Sequence, residues 1–152
     1  MADRYDMHVE TLPVSEQLQS AYFTTFGETP IGIKGAQMLI NLWIKHLLTP
    51  RGSDYTDLSY GSVFPSLIGS TVSVADAKDV LILAISQTND YIFEMQALDA
   101  TLTASERLES ATLITYIEDP SGPGFEAYVE LKNQAGEIAV VPVPRPIRSD
   151  TL

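Results

Sequence analysis

The feature that most constrains this sequence is a change of hydrophobic period partway along it. Between Lys34 and Ala97 apolar residues recur every three or four positions, and from Ala111 to Val143 they alternate. A chain that is helical first and stranded afterwards is expected to be α+β: two main helices packed on a C-terminal three-stranded antiparallel sheet. At 152 residues the chain suits one domain, and a domain of that size buries roughly two thirds of its unfolded surface, enough for a sizeable core.

The first helical segment runs from Lys34 to Leu48. Met38, Leu39, Leu42, Trp43 and Leu47 fall on one side and Ile40, Ile44 and Leu48 on another, so the helix is apolar over most of its circumference and is expected to be buried, with Trp43 in the core. Lys45 and His46 near its end suit the helix dipole, and Thr49-Pro50 stops it. His46 reads as a capping or packing residue rather than as a ligand or base. The second helix, Val74 to Ala97, opens with Ser73 and Asp76 in the form of a capping box. Ala77, Val80, Leu81, Ala84 and Ile85, continued by Thr88, Tyr91, Ile92 and Met95, form its apolar stripe, which is expected to pack on the first helix. Between the helices, Arg51 to Gly61 is dense in Gly, Ser and Asp and reads as an ordered loop pinned by Tyr55, Tyr60 and Phe64; Ser62 to Ile68 suits one short helical turn.

In the first predicted strand Ala111, Leu113, Thr115 and Ile117 alternate with Thr112, Ile114 and Tyr116, and both sets are β-branched or apolar. In the second, Phe125, Ala127, Val129 and Leu131 face the core while Glu126, Tyr128, Glu130 and Lys132 face water. Asn133-Gln134-Ala135-Gly136 then turns the chain into Glu137 to Val143, completing a meander. Pro142, Pro144 and Pro146 delete hydrogen-bond donors from one edge of the last strand, which leaves Thr112–Ile117, if the strand order is sequential, as the edge able to accept a partner strand. Residues 1–30 read as an N-terminal arm with one short helix or turn within Val14–Phe26, residues 31–144 as the α+β domain, and residues 145–152 as a flexible tail.

Composition excludes several functions. There is no cysteine, so disulfides, thiol catalysis and cysteine-ligated metals are ruled out. The two histidines, His8 and His46, lack metal-ligand spacing, and no metal or cofactor is expected. Nine basic residues against 20 acids give a net charge of −11. Such a surface repels phosphate backbones and suits basic protein partners, so no nucleic acid is expected. Lys45, His46, Gln87 and Asp90 interrupt the longest apolar runs, so no membrane span is expected. The opening Met1-Ala2-Asp3-Arg4-Tyr5-Asp6 lacks the pattern of a signal peptide, which predicts a protein made and used in cytoplasm. GxSxG, GxGxxG and P-loop motifs are absent.

Within this frame, Leu47-Leu48-Thr49-Pro50-Arg51-Gly52-Ser53-Asp54, followed by Tyr60-Gly61-Ser62-Val63-Phe64-Pro65-Ser66-Leu67-Ile68, resembles the baseplate wedge proteins of contractile phage tails. That family includes the lysozyme-like wedge subunit of T-even phages and baseplate protein W; its members have an apolar helix, a Leu-Thr-Pro-x-Gly loop, Tyr-Gly and a short apolar helix in this order. The resemblance runs from about Ile31 to Val143. It departs where the family has Gly-Glu-Arg and this chain has Gly52-Ser53-Asp54, and where the family has Glu-Pro-Arg and this chain has Ser105-Glu106-Arg107. The family arginine is matched in type and place by Arg107. The resemblance implies a sheath initiator present in several copies in a ring, located in the virion tail baseplate and in host cytoplasm during assembly. It implies as partners the sheath protein and other baseplate wedge proteins, with tube or hub proteins as further candidates.

Two readings of the Arg51–Gly61 loop stand: a docking surface, or a loop whose Asp and Tyr side chains satisfy its own backbone. Arg107 reads either as an interface residue paired with Glu106, Glu109 or a partner, or as a solvated charge. The expected partner-binding residues are Arg51, Asp54, Tyr55, Tyr60, Arg107, Thr112, Ile114, Tyr116, Val140 and Val141. Tyr22, Phe23 and Phe26 read as domain packing or as partner anchors. An enzyme is not expected. A glycoside hydrolase would need two opposed carboxyl groups, for which Glu94, Asp99, Glu106 and Glu109 are candidates without a sugar platform. A peptide-binding adaptor using the same sheet edge is the other alternative.

Overall fold

The computed structural model describes residues 4–6, 9–10, 25–26, 31–68, 73–119 and 124–143. Most of the expected N-terminal arm, including Tyr22 and Phe23, lies outside the described residues, as do Pro144, Pro146 and the tail 145–152. The described parts near the N-terminus are short strands the periodicity did not predict. β1 (Arg4–Asp6) pairs antiparallel with β4 (Ile31–Ile33), and β2 (Val9–Glu10) pairs with β3 (Thr25–Phe26). Two- and three-residue strands carry too little alternation to register as a pattern.

The remainder is the expected α+β arrangement, two helices followed by a three-stranded antiparallel sheet. Helix α1 spans Ala36–Leu48 and buries Leu39, Trp43, Ile44 and Leu47. It stops where Thr49 turns extended; the Thr49 hydroxyl donates to the Lys45 carbonyl at 2.6 Å, covering an orphan acceptor of the last turn. Helix α2 spans Val74–Ala97, with Ser73 as N-cap accepting from the Asp76 amide. Ala77, Leu81, Ala84, Ile85 and Ile92 are buried against α1 and the sheet. A 3₁₀ turn at Phe64–Leu67 inserts Phe64 and Leu67 into the same core.

Polar groups inside this core tie its layers together. The Trp43 indole donates to Asn89 Oδ1 at 3.0 Å, and Asn89 Nδ2 donates to the Ala111 carbonyl at 2.9 Å. One amide side chain on α2 thus joins α1 to the first strand of the sheet, with both of its ends satisfied.

Strands β5 (Leu108–Glu118), β6 (Phe125–Asn133) and β7 (Ile138–Val143) lie in the order β5-β6-β7. The β6 inner face is Phe125, Ala127, Val129 and Leu131, as its alternation requires, but Tyr128 on the other face, expected in water, is buried between Thr115 and Pro142 of the neighbouring strands. β5 behaves differently. Its register against β6 shifts between Leu108 and Ser110 and again between Leu113 and Thr115. Ile114 is the extra residue of the second bulge, and everything beyond it is turned over. Leu113 and Tyr116, not Leu113 and Thr115, therefore share the core face. In β7, Pro142 sits opposite Tyr128 in regular register, which a proline tolerates on an edge strand.

Candidate docking surface

The loop joining α1 to the 3₁₀ turn is built around His46. The ring is fully buried, stacked on Tyr91 with centroids 4.5 Å apart and met edge-on by Tyr60 at 5.0 Å. Its Nε2 accepts the Gly61 N–H at 3.1 Å, while Nδ1 lies 3.0 Å from the Thr88 hydroxyl. That hydroxyl donates to the Ala84 carbonyl at 2.9 Å, so it accepts from His46, and the imidazole is neutral with its proton on Nδ1. Burial, assisted by the charge of Arg51 and opposed by that of Asp57, pushes the His46 pKa from 6.5 down to about 4. His46 is thus a packing residue, as expected, but it carries no charge to place against the helix dipole.

The backbone around this ring is closely laid. Ser62 N–H donates to the Thr49 carbonyl at 2.9 Å, Arg51 N–H to the Ser62 carbonyl at 3.1 Å, and the Ser62 hydroxyl to the Leu47 carbonyl at 2.6 Å. Gly61 lies at φ +99° where a Cβ would stand 2.5 Å from the Thr49 carbonyl oxygen. Only glycine fits that crossing. The Tyr-Gly pair following a Thr-Pro-x-Gly loop is therefore one physical unit: the tyrosine covers the histidine and the glycine lets the two ends of the loop touch.

At the loop's outer end the carboxylates serve the loop itself. Asp54 accepts from the Thr56 amide at 2.8 Å, and Asp57 accepts from the Ser59 amide at 2.9 Å and from the Tyr91 hydroxyl at 2.8 Å. The Thr56 hydroxyl on Asp54 and the Ser59 hydroxyl on Asp57, together with these bonds, hold both carboxyl groups below the ordinary aspartate range, while burial and the hydrogen bond to Asp57 push the Tyr91 phenol up to about 12. Asp54 and Tyr60 are thereby parts of the loop's internal framework. Tyr55 is the reverse, 92% exposed, and Leu58 beside it is 69% exposed. Arg51 is exposed as well. The loop presents two apolar side chains on a backbone fixed from beneath. Leu58 was not singled out in the sequence, where it sits between Asp57 and Ser59 in a stretch that reads as polar.

Arg107 is half-buried rather than a solvated charge. Its guanidinium donates to the carbonyls of Leu102, Gln96 and Asp99 at 3.3, 2.9 and 2.6 Å. It is the cation at the end of α2, whose own last turn has no basic residue. Glu106 is buried and accepts the Thr103 amide at 2.9 Å and the Gly35 amide at 3.3 Å, forming a capping box for the 3₁₀ turn Ala104–Glu106. Gln96 completes the corner, donating to the Glu106 carbonyl and accepting from Leu108 N–H. The acid and the arginine stand side by side because each secures backbone groups at one chain junction.

Of the strand residues expected at an interface, Thr112 and Ile114 are exposed on β5, Ile114 at 48%, and Ile117 beyond them at 53%. Val140 is exposed on β7. Tyr116 and Val141 are corrections. The bulge turns Tyr116 inward, where its ring stacks on Phe125 at 4.8 Å and burial raises its pKa. Val141 is 3% exposed because it faces Val129 on the core side of the sheet. Among the described residues no further strand pairs with the outer edge of β5.

Three of the acids considered for hydrolysis are engaged within the fold. Glu106 is held by backbone amides, Asp99 accepts from Thr101 N–H, Glu109 pairs with Lys132 at 2.9 Å, and Glu94 lies exposed on α2. Among the described residues no group of three acids or histidines could hold a metal ion, and no helix is long and apolar enough to cross a membrane. What the fold offers is a rigid loop tip and an open strand edge, and no protein-family model, curated protein or solved structure matches the chain to say more.

Proposed function

We propose that this protein is a noncatalytic structural component of a contractile phage-tail baseplate wedge that nucleates sheath assembly, a sheath strand adding to the outer edge of β5. The observation that carries the reading is that edge: a strand of 11 residues, unpaired on its outer side among the described residues, with Ile114 and Ile117 exposed along it. Strand addition derives affinity from main-chain hydrogen bonds and register from alternating side chains. The resemblance of residues 31–143 to baseplate wedge proteins supplies the context, and its most specific stretch is the loop latched by His46 and Gly61. Tyr55 and Leu58 at the tip of that loop suit contacts with other wedge proteins.

The test is affinity purification of the tagged chain from cells infected by its source phage, followed by mass spectrometry. Sheath and wedge subunits are expected in the eluate, and a folded, abundant bait that recovers neither refutes the proposal. Thr112→Pro and Leu113→Pro then separate the edge from the ladder. Neighbouring residues aim their N–H groups to opposite sides, so one proline strikes the pairing with β6 and the other the outer edge. The outer-edge variant should stay folded and lose sheath binding; retained binding would remove β5 as the acceptor.

A further inference from the structure

The outward face of α2 has no role in either surface described above. The helix buries one side on α1 and β5, which leaves its opposite side exposed from Asp76 to Ala97, about 32 Å at 1.5 Å per residue. Three large apolar side chains lie there, Ile82, Leu83 and Phe93, each between 41% and 51% exposed. Ile82 and Phe93 are eleven positions apart, which brings them to nearly the same helical angle with Ser86 between them, a notch flanked by two apolar posts. Asp79, Asp90 and Glu94 share this face and are exposed. Lys78 lies at its border with its ammonium 5.7 Å from the centre of the Tyr116 ring.

We infer that this face docks a basic amphipathic helix from another protein. Apolar side chains spread over eleven positions of a helix, about 16 Å, suit a helical partner, because a partner helix can set one large side chain over Ser86 and others beside Ile82, Leu83 and Phe93. The three acids select its charge. A second copy of this chain would oppose the same acids to themselves, on a molecule whose net charge is −11, and like charges brought face to face disfavour pairing. Anionic lipid and nucleic acid are disfavoured for the same reason. The proposal stands independently of the phage reading, since it uses neither the β5 edge nor the loop.

The experiment uses the full chain and a fluorescent 24-residue helical peptide with Leu at the a and d heptad positions and Lys at e and g. Two controls accompany it: an isomer of identical composition scrambled to remove the stripe, and an analogue with Glu in place of Lys. Saturable binding of the first peptide is expected, with both controls at least tenfold weaker. The double variant I82Q/F93Q, and separately D90N/E94Q, should each weaken binding at least tenfold while circular dichroism stays unchanged. No binding, equal binding of the scrambled isomer, or binding indifferent to I82Q/F93Q would overturn the inference. So would sedimentation showing a dimer that F93Q dissolves, since the face would then belong to a second copy.

Discussion

His46 makes the fold sensitive to acid in a way that can be calculated. In the unfolded chain the imidazole titrates near 6.5, and in the fold burial, assisted by Arg51, holds it at about 4, with Nε2 accepting the Gly61 amide. The unfolded state therefore binds a proton first as pH falls, and stability declines from about pH 6.5 until the folded state is also protonated near pH 4. At about 1.4 kcal/mol per pH unit, this one group contributes about 3 kcal/mol at neutral pH that is absent at pH 4. The measurement is urea denaturation of the wild type and of His46→Gln at half-unit steps between pH 7 and pH 4. The variant should be weaker at pH 7 by about 1–3 kcal/mol, having lost the ring stacking and at least one buried hydrogen bond. The gap should close as pH falls, because glutamine does not titrate. Asp54 and Asp57, whose carboxyl groups are held low by their hydrogen bonds, affect both proteins alike and cancel in the difference. A gap independent of pH would refute the assignment of a neutral, accepting His46.

Three further outcomes follow from the same geometry. Gly61→Ala forces a Cβ against the Thr49 carbonyl at positive φ and should cost about 2 kcal/mol or more, read as a lowered denaturation midpoint with an unchanged m-value. Arg107→Met leaves three carbonyls at the end of α2 without their donor; a loss of about 2–3 kcal/mol is expected, with faster amide exchange over residues 96–102 and only partial recovery in Arg107→Lys, which lacks the guanidinium fork. Asn89→Ala unpairs both the Trp43 indole and the Ala111 carbonyl, and should cost about 1–3 kcal/mol and shift the Trp43 fluorescence emission.

The elements were legible in the sequence wherever local chemistry determined them. Ser73 with Asp76 located the start of α2 because a cap is a contact between neighbours, and Thr49-Pro50 located the end of α1 for the same reason. The inner face of β6 followed from its alternation, but Tyr128, which the same alternation assigns to water, is buried because neighbouring strands cover it. Tyr116 reads from the sequence as an interface residue because a bulge is decided by how two strands pair, and nothing in the run from Ala111 to Ile117 marks Ile114 as the extra residue. Val141 was placed at an interface although its own alternation with Val140 and Pro142 assigns one of each neighbouring pair to the core. Arg107 looked like a charge in search of a carboxylate, yet its partners are carbonyl oxygens, which no residue type advertises. Asp54 and Asp57 could be read either way until their amide partners two residues on were seen.

The two bulges of β5 have a consequence for crowding. They divide the exposed edge into regular stretches of four residues each, Ser110 to Leu113 and Thr115 to Glu118. A strand laid along this edge finds a few matched hydrogen bonds and then an interruption, so any one attachment is short and in fixed phase. Growth of a continuous sheet from copy to copy, the hazard of a long flat edge with exposed isoleucines, is broken at the same points. Kinks that spoil the alternation of one strand thereby act as stops, so that an open edge does not template a fibre of the protein itself.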